Sequence, residues 1–290
     1  MSWRVVVISE RAKLDLKLNH MVVRNEKVQK LVLSEISTVI IETTMVSITA
    51  ALLAELSRRK IKVVFCDEKR NPSSELISYY GCHDTSSKIR NQVLWNEDIK
   101  GLLWTEIVKE KIKQQKDFMK KIKLKEWNLL DQYIKEMVFN DETNREGHAA
   151  KVYFNAVFGM DFSRSYDCDV NSALNYGYGI LLSAFNRAIV ANGYITQIGL
   201  FHNNIYNQFN LSSDLMEPFR PLIDKEVYDM KPKKFEKDEK YRLINVLNKE
   251  VVIDNKKYYI NNAVQIYCKS VFDAISQKDI SQLRFYRNEL

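Results

Sequence analysis

"AKLDLKL", Ala12 to Leu18, alternates apolar and charged side chains without a break. Successive strand side chains point to opposite faces, so Ala12, Leu14, Leu16 and Leu18 share one face and Lys13, Asp15 and Lys17 the other. That pattern is a half-buried strand. Its neighbours read the same way: "WRVVVIS" at 3–9, "HMVVRN" at 20–25, "EKVQKLVL" at 26–33, "ISTVIIET" at 36–43 and "IKVVFCD" at 61–67, all rich in Val or Ile. Asn19-His20 and Asn25-Glu26 mark hairpin turns. One helix interrupts, "SITAALLAELSRRK" at 47–60, with Ser47 as its expected N-cap. Strands outnumber βα units, which predicts a small β-sandwich rather than a doubly wound sheet.

After the turn-rich stretch 67–87 the period becomes helical. Ile89, Val93, Ile99, Leu102, Leu103, Ile107 and Val108 recur every three or four residues, with a break near Asn96. Further helices are expected at 126–139, 143–158, 171–191, 212–227 and 262–276, with Gly193 just past the 171–191 helix as a C-terminal glycine. Residues 229–242 are a charged run that reads as a mobile surface loop. Residues 249–260 read as a hairpin turning at Asp254-Asn255 or as part of a helical insert. The expected fold is α+β: an N-terminal β-sandwich over residues 1–80 and a larger all-α domain over 81–290, joined near residue 80.

The 290 residues suffice for one large or two modest cores. A net charge of +7 favours a polyanionic partner, though weakly. Cys66, Cys82, Cys168 and Cys268 form no C-x-x-C pair or zinc-finger spacing, and scattered thiols suit a reducing compartment. The early apolar run "VVVI" at 5–8 is too short for a signal peptide or a membrane span, so a cytoplasmic protein without membrane contact is expected.

Three stretches carry residues suited to chemistry. "TNREGHAAKVYF" at 143–154 opens a helix with Glu146 in its first turn. Thr143-x-x-Glu146 can be a capping box, or Glu146 can be a ligand. Gly147 is disfavoured inside a helix and suggests a close approach to the backbone. His202 in "IGLFHNN" stands where an apolar segment turns polar: a hydrogen-bonded histidine at an element end, or a ligand. In "DLMEPFRP", Asp214 and Glu217 are i and i+3, Leu215 and Phe219 face the core, and Pro218 and Pro221 give up backbone hydrogen bonds. The acids are either a solvated face or part of a site. Two carboxylates and an imidazole can hold a divalent cation while leaving positions open. Such a donor set suits Mg²⁺ or Mn²⁺, which would activate a hydroxyl and polarise a phosphate.

These blocks resemble the CRISPR adaptation integrase family, CRISPR-associated protein one. The resemblance covers nearly the whole chain. It runs through "LDLKLNHMVVRNEK", "TVIIET", "ITAALLAEL" and "VVFCDEKRNP". It continues in "REGHAAKVYFNAVF", "DVNSALNYGYGILLSAFNRAIVANGY", "IGLFHNN" and "SDLMEPFRPLID". Glutamate at 217, where many relatives carry aspartate, looks most like the type II branch. The resemblance implies a dimerising β-sandwich domain and a helical catalytic domain. It implies transesterification that joins the 3′-hydroxyl ends of a prespacer DNA duplex to the CRISPR repeat. It puts the metal ligands, and so the catalytic residues, on Glu146, His202 and Glu217. Asp214 then becomes an alternative ligand or a neighbour that orients one. It further implies a homodimer, a dimer of CRISPR-associated protein two, the type II effector nuclease and a ring-forming DNA-end-binding protein.

Asn171 and Asn175, at i and i+4, are expected to orient ligands, cap or pack. Arg220, one turn from Glu217, is the best expected phosphate contact, with Arg145 and Lys151 as further DNA-binding residues. Residues 108–126 hold eight lysines, among them Lys111, which read as a solvated face or as phosphate contacts. Two rivals share these residues: a structure-selective metal-dependent DNA endonuclease, and a non-catalytic DNA-binding assembly subunit.

Overall fold

The structure, a computed structural model, describes residues 4–68, 70–76 and 82–287. The N-terminal part runs β1 (Arg4–Ile8), β2 (Ala12–Lys17), β3 (His20–Arg24), β4 (Val28–Val32), β5 (Ile36–Ile41), β6 (Val46–Ile48), α1 (Ala50–Arg58), β7 (Lys62–Cys66) and β8 (Pro72–Leu76). The strands form two four-stranded sheets, ordered β1-β5-β7-β8 and β4-β3-β2-β6. Ala12 and Leu14 of the alternating strand are buried and Lys13 is exposed. They pack with Met21, Val39, Ile41 and Val63, and with Leu52 and Leu56 of α1, to fill the space between the sheets.

β5 shows why not every strand alternates. All six of its residues are buried. It runs parallel to both β1 and β7 at the middle of its sheet. Val39 and Ile41 face the other sheet, whereas Ile40, with Val64 and Cys66 of β7, packs on the helical core. A strand covered on both faces is apolar throughout.

Two local expectations change here. α1 starts at Ala50, so its cap is Thr49, not Ser47: the Thr49 hydroxyl accepts from Leu52 N–H at 3.3 Å. The stretch read as linker contains β8, paired antiparallel with β7. The boundary placed near residue 80 lies outside the described residues.

The C-terminal part runs α2 (Thr85–Val93), α3 (Glu97–Lys121), α4 (Trp127–Lys135), α5 (Arg145–Phe158), α6 (Asp169–Ala191), α7 (Asn210–Leu215), α8 (Arg220–Met230), α9 (Lys237–Ile244), β9 (Glu250–Ile253), β10 (Lys256–Tyr259) and α10 (Ile260–Gln277). The expected break at Asn96 is the N-cap of α3, where its side chain accepts from Asp98 N–H at 2.8 Å. α3 and α6 are the long central helices, and both are buried along much of their length. Gly193 has φ +87° just past α6, a conformation that favours glycine.

The part is not strictly all-α. Residues 249–260 are a hairpin, β9 and β10, with left-handed Asp254 and Asn255 at its turn. The charged run 229–242 is not a loop throughout. Glu236 and Glu239 form a reciprocal capping box that starts α9. Nor is 212–227 one helix. α7 ends at Leu215, a 3-10 turn spans Glu217–Phe219, and α8 begins at Arg220. Pro218 and Pro221 lie in the first turns of those last two segments, where no partner for a backbone N–H is needed. They mark a break between elements rather than a defect in one. Among the described residues, no helix is long and apolar enough to cross a membrane.

Candidate metal centre

Glu146 enters the site from the first turn of α5. That helix is capped by others. Asp141 accepts from the backbone N–H groups of Arg145 and Glu146 at 2.7 and 2.9 Å, and Asn144 accepts from Gly147 N–H at 3.2 Å. The Thr143–Glu146 capping box therefore does not form, and the Glu146 carboxylate is free to point elsewhere. Gly147 has a local cause as well. A Cβ there would stand 2.7 Å from Asn144 Oδ1, so the glycine makes room for the cap and not for a ligand.

Glu217 lies in the 3-10 turn between α7 and α8 and is 3% exposed. Its carboxylate is bracketed by cations: Arg220 Nε donates to Oε1 at 2.7 Å, and the Lys111 ammonium is ion-paired to Oε2. The same ammonium donates to Glu146 Oε1 at 2.5 Å. Burial alone would raise the Glu217 pKa. Arg220 and Lys111 outweigh it and hold the carboxyl below its usual range. Burial lowers the Lys111 pKa, but Glu217 and Glu146 raise it further, so the ammonium stays charged.

Lys111 belongs to the lysine run that reads as a solvated face or as phosphate contacts; it is neither, because it is buried against the two carboxylates. The signal was present. Lys111 falls four residues after Ile107 and three after Val108, so it continues their buried stripe towards Ile112.

Asp214 does not share a face with Glu217. Fully buried, it anchors the loop before α7. Its carboxylate accepts from the backbone N–H of Leu200 (2.6 Å), Phe201 (3.0 Å) and His202 (3.2 Å). It also contacts His202 Nδ1 at 2.5 Å. Gly199 permits the wrap, because a Cβ there would stand 2.6 Å from Asp214 Oδ2. The bond to Asp214 raises the His202 pKa against the opposing effect of burial. It also assigns the proton to Nδ1, leaving the Nε2 lone pair free, the arrangement expected of a metal-binding histidine. Trp104 packs edge-on against the imidazole at 5.5 Å and stacks on Phe201 at 4.5 Å.

Glu146 and Glu217 thus share a pocket of about 220 Å³, together with Lys111, Arg164, Tyr178 and Arg220. His202 opens on a neighbouring cleft of about 500 Å³. The three expected ligands are not drawn within 4.8 Å of one another. Among the described residues, only Cys82, His83 and Asp84 are that close. The Lys111 ammonium stands between the two carboxylates, and His202 lines the other cleft. The donor set nevertheless fits a divalent cation. Two converging carboxylates, one of them buried, demand positive charge, and here the chain's own ammonium supplies it.

The other expected residues are more dispersed. Arg220 lies over the Tyr178 ring at 4.6 Å, beside the pocket. Arg145 pairs with Glu136 at 3.0 Å, and Lys151 is exposed on α5. Asn171 and Asn175 orient neither Glu146, His202 nor Glu217, and they do not cap α6. Both accept from Arg164, a residue that sequence reading missed.

Two sheets joined to a helical part, with two carboxylates facing each other in one pocket and an imidazole at the neighbouring cleft, define the class: a two-part α+β protein with a cation-seeking pocket. The family model described as "CRISPR associated protein Cas1" matches residues 5–255, and the chain belongs to that family. It is 30% identical to the CRISPR-associated endonuclease Cas1 of Neisseria meningitidis serogroup C (strain 8013), over 98% of this chain and 96% of that one. A CRISPR-associated endonuclease Cas1 of Francisella tularensis subsp. novicida is 28% identical over 90% of each chain. Among solved structures, a casposase bound to integration product superposes with a TM-score of 0.76 at 17% identity, covering 96% of this chain and 92% of that one. A Cas1 protein from Thermotoga maritima gives 0.72 at 16% identity, covering 94% and 97%. At those identities the structural likeness speaks for the fold.

Proposed function

We propose that this chain is the integrase of CRISPR spacer acquisition. It joins the 3′-hydroxyl ends of a prespacer duplex to the CRISPR repeat by metal-dependent transesterification. The observation that carries this reading is the facing pair Glu146 and Glu217, charged, largely withdrawn from water and bridged by a cation. Family membership and the casposase likeness support it.

Glu146, His202 and Glu217 would hold Mg²⁺ or Mn²⁺, which when bound polarises the scissile phosphate and stabilises the leaving oxygen. The rest is the work of the chain's own groups. Asp214 holds the imidazole with Nε2 free. Arg220 keeps Glu217 ionised and presents a guanidinium beside the reacting phosphate. The exchange is balanced: the 3′-oxygen of the incoming end forms a P–O bond and loses its proton, while a 3′-oxygen of the repeat strand leaves and gains one.

The division near residue 80 separates a dimerising part from a catalytic part. The partners are a second copy and a dimer of CRISPR-associated protein two, in keeping with a neighbour described as a Cas6-RT-Cas1–Cas2 complex. Glutamate at 217 and the Neisseria relative favour the type II branch, and with it the effector nuclease and the DNA-end-binding ring. The place of action is the cytoplasm, where the DNA is.

The test is a strand-transfer assay on branched DNA with Mn²⁺, using the purified chain and its His202→Ala variant. Metal-dependent resealing that the variant loses is the expected result. Cutting without resealing would favour the endonuclease that the relatives' names suggest. Equal activity in both proteins would refute the assignment of His202.

A further inference from the structure

Four cationic groups stand at or near the pocket, and three are already neutralised. Lys111 is paired with Glu146 and Glu217, Arg220 with Glu217, and Arg145 with Glu136. Arg164 differs. It lies in the connection between α5 and α6 and lines the same pocket as Glu146 and Glu217. Its guanidinium is held by two amide oxygens. One terminal nitrogen donates to Asn171 Oδ1, and the other to Asn175 Oδ1 at 2.6 Å. No carboxylate pairs with it among the described residues.

The support is itself braced. Asn171 is 3% exposed, and its Nδ2 donates to the carbonyls of Ser163 and Tyr166, each at 2.8 Å. Those bonds fix which end of the amide is oxygen, so Asn171 can only accept from Arg164. The guanidinium lies 5.4 Å from the Tyr178 ring centroid, and Arg220 lies 4.6 Å from that same centroid. A neutral amide fork fixes the geometry of an arginine without spending its charge. A carboxylate would fix it and neutralise it. Guanidinium has five N–H donors in a fixed plane, so donors remain for an incoming anion.

We propose that Arg164 is a substrate-positioning residue, which grips a phosphate of the DNA strand entering the Glu146–Glu217 pocket, with Asn171 and Asn175 aiming it. This rests on the DNA-acting reading above and adds a residue to it. Holding the side chain in advance removes the rotamer entropy otherwise lost on binding.

The experiment measures binding of a fluorescent branched duplex in EDTA, where no turnover occurs, across a series of KCl concentrations. The proteins are wild type, Arg164→Gln, Arg164→Lys and Asn175→Asp. One phosphate contact contributes about 0.9 to the slope of log K against log salt. Arg164→Gln should lower that slope by about one and weaken binding roughly three- to tenfold near 0.1 M salt. Arg164→Lys should keep the slope. Asn175→Asp keeps the arginine but gives it a carboxylate, and should reproduce the loss seen in Arg164→Gln. The Mn²⁺-induced rise in melting temperature should match wild type in all three, because the metal ligands are untouched. Unchanged affinity and slope in Arg164→Gln and Asn175→Asp would overturn the proposal, as would loss of the Mn²⁺ response. Wild type that binds the duplex but never joins strands would refute the integrase reading alone; wild type that binds no DNA would refute both.

Discussion

Replacing Lys111 by Met tests whether its ammonium stands in for a metal. The thioether occupies the volume of the lysine stem but carries no charge. Orphaning one member of a buried ion pair typically destabilises by about 3–5 kcal/mol. Two features reduce that here. The Glu217 side chain, only 4% exposed, keeps Arg220, and the Glu146 side chain, 24% exposed, keeps some water. Lys111 also sheds its own desolvation. A net loss of about 2 kcal/mol is expected in EDTA, which for a chain of this size lowers the melting temperature by roughly 3 °C. With Mn²⁺ the gap should close. In wild type a metal must first expel an ammonium from between the carboxylates; in Lys111→Met it need not. If most of the 2 kcal/mol appears as metal affinity, Mn²⁺ binds roughly tenfold or more tighter. The assay is a thermal melt at graded Mn²⁺, since a ligand of the folded state stabilises by RT ln(1 + [L]/Kd). A variant as stable as wild type in EDTA would show that the triple contact contributes nothing. Weaker Mn²⁺ binding would show that Lys111 builds the site rather than occupying it.

Two further outcomes follow from neighbouring groups. Burial raises the Asp224 carboxyl to about 6 from an ordinary 3.8, while the Tyr178 hydroxyl and Arg220 pull it the other way. The stability contributed by its protonated form is complete below 3.8 and is lost as pH rises through about 6. At about 1.4 kcal/mol per unit, the loss approaches 3 kcal/mol at pH 7. Asp224→Asn should therefore be the more stable protein at neutral pH and flatten the stability profile between pH 4 and pH 6 (about the window set by those values), as denaturant midpoints would reveal; an unchanged profile would refute the assignment. Gly199→Ala would put a Cβ 2.6 Å from both Asp214 Oδ2 and the His202 carbonyl oxygen. Overpacking of that kind destabilises by about 1–3 kcal/mol, and the shifted loop should shrink the Mn²⁺-induced rise in melting temperature. A full response would mean that His202 does not depend on this loop.

The legible parts of the sequence were those where local period and burial agree. β2 alternates because one face is covered, and Asn96 caps α3 as its spacing suggests. The helices failed to read where chain direction changes. Asp214 and Glu217 look like neighbours on one helical face, yet the helix ends between them, and each serves a different partner. Pro218 and Pro221 carried that information, since a proline settles most easily in a first turn. Glu146 reads in sequence as a ligand or a cap, and tertiary structure shows Asp141 and Asn144 taking the capping work instead.

Cations were harder to place than acids, for a physical reason. A lysine stem is apolar, so its sequence position says little about whether the ammonium reaches water. Eight lysines between 108 and 126 look alike in sequence, and one of them bridges Glu146 and Glu217. Arg164 is set by its amide neighbours Asn171 and Asn175, one turn apart on α6, and nothing near 164 in the sequence points to them. The charge that matters at this site is therefore decided by pairing. Lys111 and Arg220 are paired with the acids, whereas Arg164 is paired only with neutral amides; on the proposed function the acids then answer to a metal and Arg164 to the DNA. On that division, adding a carboxylate beside Arg164 and removing the ammonium at Lys111 should act on different quantities, the first on DNA affinity and the second on metal affinity. The Asn175→Asp, Lys111→Met double variant should then show both changes in full, whereas strong coupling between them would mean that the two cations serve a single site.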